Sequence, residues 1–573
     1  MKILKKAITL NVGLVLMGSA VFAQSLADAK KAIDAEQYQK ASSMLKSLVN
    51  SQASNGDNYY NLGMVYLKTG YIDSARVVFN KGVAADAKNA SNYAGLGEAD
   101  LLSNNPTSAK TNFDKAVSAN SKDYKTYLAI GKAYLAQDKP SDEVSKPDFA
   151  NAITNLTKAD ELDSKDKDAD VFIAIGDAYA LQKKNSEALT PYFTVSSIDP
   201  TNRRAKTQVG KMYKESRAFA EGEKELQEVI AADANYGPAY RELGELYLQW
   251  SSFGTDKEKA AKGVEYYKKY LDLTDKSTES QLRYMQFLFY AKDFPALEQV
   301  ASSIQVPAND PKAIIVSRLK GWSAYENKNY PLALTNMTDY FAKQKDTSKI
   351  LTFDYLYLGK AQLKAGQDSL ALINITKAVE KDSTNADALS EVAKSLYDAK
   401  KYAKSAQVYE KAIKANPNGK GSLYNYYYNA MANYFDYGAK YSAKQNPSKD
   451  ILVKADSAIA KVIQISPETY DAYLTRARIN SLLDDDKEPK GLMVPYYEEF
   501  INKVTAKPEI ATTGTYPKRL SEAYDTLGGY YYYKDKAKAK EYFDKSVAVY
   551  PSGTFAAAKL KELAAPAPKG KGK

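Results

Sequence analysis

The sequence predicts an all-α array of helical hairpins, and three observations carry that prediction. Glycines recur 34 residues apart, at Gly63, Gly97 and Gly131 and again at Gly176, Gly210 and Gly244. Each lies in an apolar pattern of helical period: Tyr59, Leu62 and Tyr66 stand at i, i+3 and i+7 on one face. A second helical segment then follows, marked by a small residue and a large one four positions on, as in Ala75 and Phe79 or Ala109 and Phe113. Gly63 and Ala75 would let the two backbones of a hairpin approach within about 8–10 Å, with Phe79 filling the space between hairpins. One hairpin cannot bury both its faces, so neighbours must stack into a quasi-one-dimensional array.

Taking the elements in order, residues 1–23 are expected to be a secretory signal peptide rather than part of the fold. Lys2, Lys5 and Lys6 precede an apolar run too short for a comfortable membrane span, and Val21 and Ala23 suit cleavage before Gln24. With no cysteine after that run, a lipid anchor is excluded. The mature chain is expected to be periplasmic or secreted, with no transmembrane span.

Residues 24–274 form the expected N-terminal array. Leu26 to Ala53 supplies a weaker first hairpin, and the regular ones follow from Tyr59. The fourth opens at Tyr127 and Gly131, but its second helix is delayed by the polar insertion Lys139 to Pro147. The seventh, from Tyr240 and Gly244, is delayed again through Trp250 to Thr255. Residues 275–312 read as an irregular hinge: Gln281 to Ile304 is hairpin-like, with Ala296 in the small slot, but lacks the glycine and is followed by Pro307 and Pro311. Residues 313–565 form the second array, loosely from Gly321 and Ala333 and fully at Tyr355, Gly359 and Ala371. It continues through a long helix opening at Leu423, a degenerate hairpin from Tyr470 and a regular one from Tyr524, to a capping helix over Thr554 to Ala565. Residues 566–573 are a Lys/Pro/Gly tail expected to be disordered.

The period and the pattern Tyr59-x-x-Leu62-Gly63-x-x-Tyr66 with Ala75-x-x-x-Phe79 resemble the tetratricopeptide repeat. The resemblance covers nearly the whole mature chain, about fourteen units, and implies a right-handed superhelical solenoid of helix-turn-helix repeats. It also implies binding of extended protein or peptide segments in a concave groove lined by the first helices. The positions of the family's carboxylate clamp hold Tyr60 and Met64, then Ala94 and Glu98, Leu128 and Lys132, Ile173 and Asp177, Thr207 and Lys211, and Arg241 and Glu245. No clamp is present, and no single ligand chemistry repeats along the groove.

Composition narrows the function. Among 573 residues there is no cysteine and no histidine, which removes thiolate and imidazole ligands, nucleophiles and bases. No glycine-rich phosphate loop, metal set or carboxylate pair stands out; the chain is expected to be non-enzymatic and without cofactors. The net charge of +11 comes from dispersed lysines, and export argues against nucleic acid. Asp484 to Asp486 lacks the spaced ligands of a calcium loop and reads as a solvated turn. Tyrosine is the anomaly, with 47 residues against 17 Phe and 2 Trp. Most are expected to be core, but Tyr426, Tyr427 and Tyr428 are candidates for the groove, with Tyr60, Met64 and Arg241. The expected partner is a protein of the bacterial envelope. A glycan stacked on tyrosine is the alternative, with only Trp250 and Trp322 to supply larger platforms.

Overall fold

The structure is a computed structural model that describes residues 25–136, 147–163, 168–253, 256–307, 310–485 and 487–565. The expected signal peptide, most of the Lys139 to Pro147 insertion, Asp486 and the tail expected to be disordered lie outside the described residues. Those described are helices joined by short turns, with no strand among them. The chain divides into two units, residues 1–308 and 309–573.

The first unit holds eight hairpins in sequence. They are Leu26–Asp34 with Tyr38–Ser51, Gly56–Lys68 with Ile72–Ala85, Ala90–Leu102 with Pro106–Ala119, and Tyr124–Tyr134 with Phe149–Leu162. Then follow Ala169–Leu181 with Asn185–Ile198, Arg203–Glu215 with Phe219–Ala232, Gly237–Ser252 with Lys257–Leu273, and Thr278–Tyr290 with Phe294–Ser303. The second unit holds six, from Lys312–Glu326 with Tyr330–Lys343 to Tyr516–Tyr531 with Lys536–Val549, and ends on Phe555–Ala564. That last helix buries Ala556 against Phe543 and Ala539, as a cap should.

Local sequence explains where each helix starts and stops. Asn55, Asn89 and Asp123, and then Asp168 and Asn202, cap the first helices by accepting a backbone N–H. Each such cap contributes about 1 kcal/mol. Between the paired helices one residue enters the left-handed region: Glu36, Gly70, Asn104, Lys183, Arg217, Lys292, Lys328, Gly366 and Lys400.

The recurring glycines mark where the second helix presses on the first. A Cβ on Gly63 would stand 2.2 Å from the Phe79 ring, one on Gly97 2.2 Å from Phe113, and one on Gly176 2.4 Å from Tyr192. At Gly131, Gly210 and Gly359 the obstacle is Leu156, Leu226 and Ile375, each at 2.6 Å. At Gly244 it is Tyr267, at 3.1 Å. Phe79 also lies 2.5 Å from the equivalent Cβ of Gly95, so one ring seals its own hairpin and the joint to the next. Ala75 and Phe79 are wholly buried, and Tyr59 and Leu62 nearly so, while Tyr66 is half-buried and packs beside them.

The eighth hairpin departs from the expected small slot. The fourth residue of its second helix is Leu297, not Ala296, and both Leu297 and Met285, which takes the glycine position, are fully buried. Two bulky side chains replace Gly and Ala, so these backbones cannot approach as their neighbours do. This explains the missing glycine between Gln281 and Ile304.

The first unit comes round on itself. At the turn of the first hairpin, the Glu36 carboxylate pairs with the Arg241 guanidinium and accepts the Tyr270 hydroxyl at 2.8 Å. The Gln37 amide donates to the Leu273 carbonyl at 3.3 Å, and the Gln39 N–H donates to Asp275 at 2.8 Å. The first hairpin therefore touches the seventh as well as the second.

Candidate interaction surfaces

The first helices of six successive hairpins bring charged side chains to one interior surface of the first unit. Lys132 Nζ lies 3.4 Å from Asp170, and Arg204 spans Asp170 at 3.5 Å and Asp177 at 3.0 Å. Asp177 also accepts the Tyr192 hydroxyl at 2.7 Å and the Gln208 amide at 2.9 Å. Asp34 feels Arg204, Asp170 and Lys132, and crowding by protein raises its carboxyl above the usual range. Asp170 is held down to about 2, chiefly by Lys132. Its side chain is nonetheless 48% exposed, so this surface is enclosed by protein yet open to water, as a concave groove is.

The candidates chosen on sequence fall on or near this surface in different ways. Tyr60 is half-buried, its ring 6.2 Å from that of Phe79, and its hydroxyl faces Glu98, Asp170 and Asp57. Burial and those carboxylates drive its pKa upward. Met64 packs beside Phe79 and Leu96. Arg241 is occupied within the chain: it binds Glu36 and lies 3.2 Å from Glu242, with the Tyr270 ring 5.6 Å away. Beneath it, Lys214 and Glu242 form a buried pair at 2.8 Å.

Tyr426, Tyr427 and Tyr428 sit on the long helix Ser422–Ser442 and divide between two cores. Tyr428 packs back onto Tyr409, Tyr397 and Tyr424, whereas Tyr426 and Tyr427 pack forward with the cluster around Ile459 and Ala472. All three remain half-buried. Tyr427 faces Asp471, Arg519 and Arg478 of later first helices, and burial is the main cause of its raised pKa. Arg478 grips Glu522 through two bonds of 2.6 Å, and Arg519 pairs with Asp471. These four charged side chains are between 31% and 39% exposed, so water and a partner can reach them.

Elsewhere tyrosine works as a buried tie between helices. Tyr192, Tyr340 and Tyr409 are among the largest fully buried side chains. Tyr340 donates to Asp354 at 3.0 Å, Tyr247 to Glu223 at 2.6 Å, Tyr357 to Glu326 at 2.6 Å and Tyr542 to Glu498 at 2.8 Å. Phenylalanine would fill the same volume without the bond, which accounts for much of the tyrosine excess. In the run of four at the end of Tyr516–Tyr531, Tyr533 is the ring turned out, at 90% exposed. Trp322 is buried, and Trp250 stacks on Phe219 at 5.6 Å with the Lys259 ammonium 4.8 Å from its ring. Asp484 is buried and accepts the backbone N–H groups of Asp485, Lys490, Gly491 and Leu492. Burial pushes its carboxyl up, but those bonds outweigh it and hold the pKa below the usual range. The acidic run organises a turn.

Sequence reading missed the Arg478–Glu522 and Arg519–Asp471 pairs, because the repeat pattern is degenerate there. Aligning Ala477 with the glycine position would have put Asp471 and Arg478 on the groove side. Among the described residues no cluster of three acidic side chains is arranged to hold a metal ion.

Antiparallel helix pairs that pack each on the next, with no other element, define a helical repeat protein. Residues 32–99 and 356–420 match models of the tetratricopeptide repeat family. The hairpins within these two segments are tetratricopeptide repeats, a kind of repeat that implies protein partners. No curated protein matches the chain. Among solved structures, the chain is similar to the C-terminal part of a repeat-containing protein of this family from Cytophaga hutchinsonii. That match has 29% identity, covers 49% of this chain and 99% of that one, and has a TM-score of 0.34. A tetratricopeptide repeat protein of Parabacteroides merdae matches at 15% identity, covering 47% and 98%, with a TM-score of 0.31. PilF of Pseudomonas aeruginosa matches at 16%, covering 43% and 99%, with a TM-score of 0.28.

Proposed function

We propose that this chain is an exported, non-enzymatic scaffold of the bacterial cell envelope that holds extended segments of partner proteins along the concave faces of its repeats. The observation that carries the reading is the accessible row in the second unit, where Arg478, Glu522, Arg519 and Asp471 lie beside Tyr427. Ion pairs this exposed contribute at most about 1 kcal/mol to stability, so they are readily exchanged for contacts with a partner. The variety of groove positions from hairpin to hairpin supports recognition of one extended shape rather than of a repeated ligand. Export rests on the basic, then apolar, then small-residue order of residues 1–23. No helix among the described residues is long and apolar enough to cross a membrane.

Crosslinking and capture from envelope fractions tests the proposal. A specific protein is expected, and its recovery is expected to fall at least tenfold with Arg478→Ala and Arg519→Ala combined. Recovery of no protein, with saturable binding of a polysaccharide, would replace the scaffold by the glycan reading. The glycan reading has less to build on here, since Trp322 is buried and Trp250 is already stacked.

A further inference from the structure

The seventh hairpin holds the Glu36 carboxylate as a receptor holds a ligand, one donor to each oxygen. Oε1 pairs with Arg241 Nη1, and Oε2 accepts the Tyr270 hydroxyl at 2.8 Å. Arg241 belongs to Gly237–Ser252 and Tyr270 to Lys257–Leu273, with the Tyr270 ring 5.6 Å from the guanidinium. Glu36 comes from the turn of the first hairpin, 205 residues from Arg241. Taking it away leaves the fork short of an anion. Arg241 would keep only its Nε contact with Glu242, at 3.2 Å, and Glu242 is shared with Lys214 at 2.8 Å. Glu215 stands 3.5 Å from Lys214 but is not paired with Arg241. A guanidinium edge with a hydroxyl beside it matches the two oxygens of a carboxylate, and that match is what Glu36 uses.

Glu36 fills the fork without being firmly fixed there. It is the one acid among the described residues outside glycine that adopt the left-handed region, at φ 58°, where a side chain is disfavoured. The rest of the seam between the two hairpins is slight. The Gln37 amide reaches the Leu273 carbonyl at 3.3 Å, the Gln39 N–H reaches Asp275 at 2.8 Å, and Ala35 rests on the cluster around Tyr236 and Leu243. The Arg241 and Glu36 side chains are 32% and 20% exposed, so water and a competing carboxylate can reach them. Partly exposed ion pairs of this kind contribute little to stability and exchange readily.

We propose that Arg241 and Tyr270 form a binding subsite for an acidic side chain of an extended partner segment, and that Glu36 is its built-in competitor. The first hairpin thereby inhibits the groove of its own unit until the partner's carboxylate displaces Glu36. Charge stays balanced in the exchange, since one carboxylate leaves the fork as another enters. This rests on the scaffold reading for the existence of a partner and adds what that partner carries.

The test uses the full chain and two labelled alanine-serine peptides, acetylated and amidated at their ends, with glutamate or glutamine at one central position. In fluorescence anisotropy, Glu36→Ala is expected to bind the glutamate peptide about tenfold tighter than wild type, because apparent affinity is reduced by the fraction of sites that are closed. The glutamine peptide should show no gain, and Glu36→Ala combined with Arg241→Gln should lose it. Asp275→Ala loosens the same seam but leaves Glu36 in place, and is expected to bind as wild type does. If circular dichroism shows that Glu36→Ala loses helix, Glu36→Gln, which keeps the shape of the side chain, takes its place with the same expected gain. Equal binding of the glutamate peptide by wild type and the Glu36 variant, an equal gain for the glutamine peptide, or the same gain in Asp275→Ala would each overturn the inference. Failure to capture any envelope protein is the separate failure of the scaffold reading and leaves the peptide result standing.

Discussion

A glycine buried under an aromatic ring and a glycine open to water are chemically the same residue with opposite responses to substitution. Gly63→Ala would place a methyl group against Phe79, and overpacking of this kind costs about 1–3 kcal/mol. At Gly438, inside Ser422–Ser442, and at Gly529, inside Tyr516–Tyr531, nothing lies within 4 Å of the added Cβ. There alanine is expected to stabilise by up to about 1 kcal/mol through helix propensity alone. Thermal melting of the three variants checks the sign: the midpoint should fall for Gly63→Ala and rise for the other two. The left-handed turn residues offer the converse. Lys183 and Lys400 hold φ near 60°, a conformation that disfavours a side chain by about 1 kcal/mol or more. Lys183→Gly and Lys400→Gly should therefore raise the melting midpoint despite the extra freedom of the unfolded chain, and a fall in both would refute the account.

At the scale of the helices, the buried Lys214–Glu242 pair links the sixth hairpin to the seventh. Burial raises the Glu242 pKa, but Lys214 and Arg241 together outweigh it and bring the pKa down to about 2. A carboxyl depressed on folding lends stability above its unfolded pKa, near 4.5, and loses that contribution as pH falls toward 2. Lys214→Met leaves the buried carboxylate with Arg241 as its remaining counter-ion and should cost about 2–3 kcal/mol, whereas Lys214→Met with Glu242→Leu should recover most of it. Urea titrations at pH 7 and pH 3 separate the cases: the single variant's deficit should shrink in acid, and the double variant should differ little from wild type at either pH. How far such elements could be read from sequence depended on what repeats. The 34-residue glycines, the small residue facing them and the large side chain over them recur because each joint needs all three, so the hairpins were legible. The caps Asn55, Asn89 and Asp123 repeat equally well and could have been read too. The hairpin of Met285 and Leu297 was not legible, because two large residues stand where the small ones recur elsewhere and leave no glycine to find. Partners such as Lys214–Glu242 or Arg241–Glu36 are set by the winding of the array, at separations of 28 and 205 residues, which no local pattern encodes. Arg241 thus read as a free groove residue when its charge is spent inside the chain.

Across the whole molecule, repeat arrays are stabilised by sums of neighbour contacts, so their ends open first. The two ends of this chain should differ. Phe555–Ala564 is the last described helix and rests on the hairpin before it. The first hairpin touches two others, through Glu36, Gln37 and Gln39. Hydrogen exchange should therefore find residues 38–51 nearly as protected as interior second helices, and residues 555–564 the least protected. Glu36→Ala should speed exchange of residues 38–51 by about tenfold, the equivalent of 1.4 kcal/mol, and unchanged protection there would show that the contact carries no weight.

The contact between Glu36 and the Arg241–Tyr270 region also decides how the chain bears load. Tension applied to a simple solenoid at its amino end runs through each hairpin in turn and draws them out one by one. Here the pull would cross directly from the first hairpin to the seventh, and the five between them would lie slack in a side loop. They would carry no force until that clasp gives way, and their whole length would then be released at once.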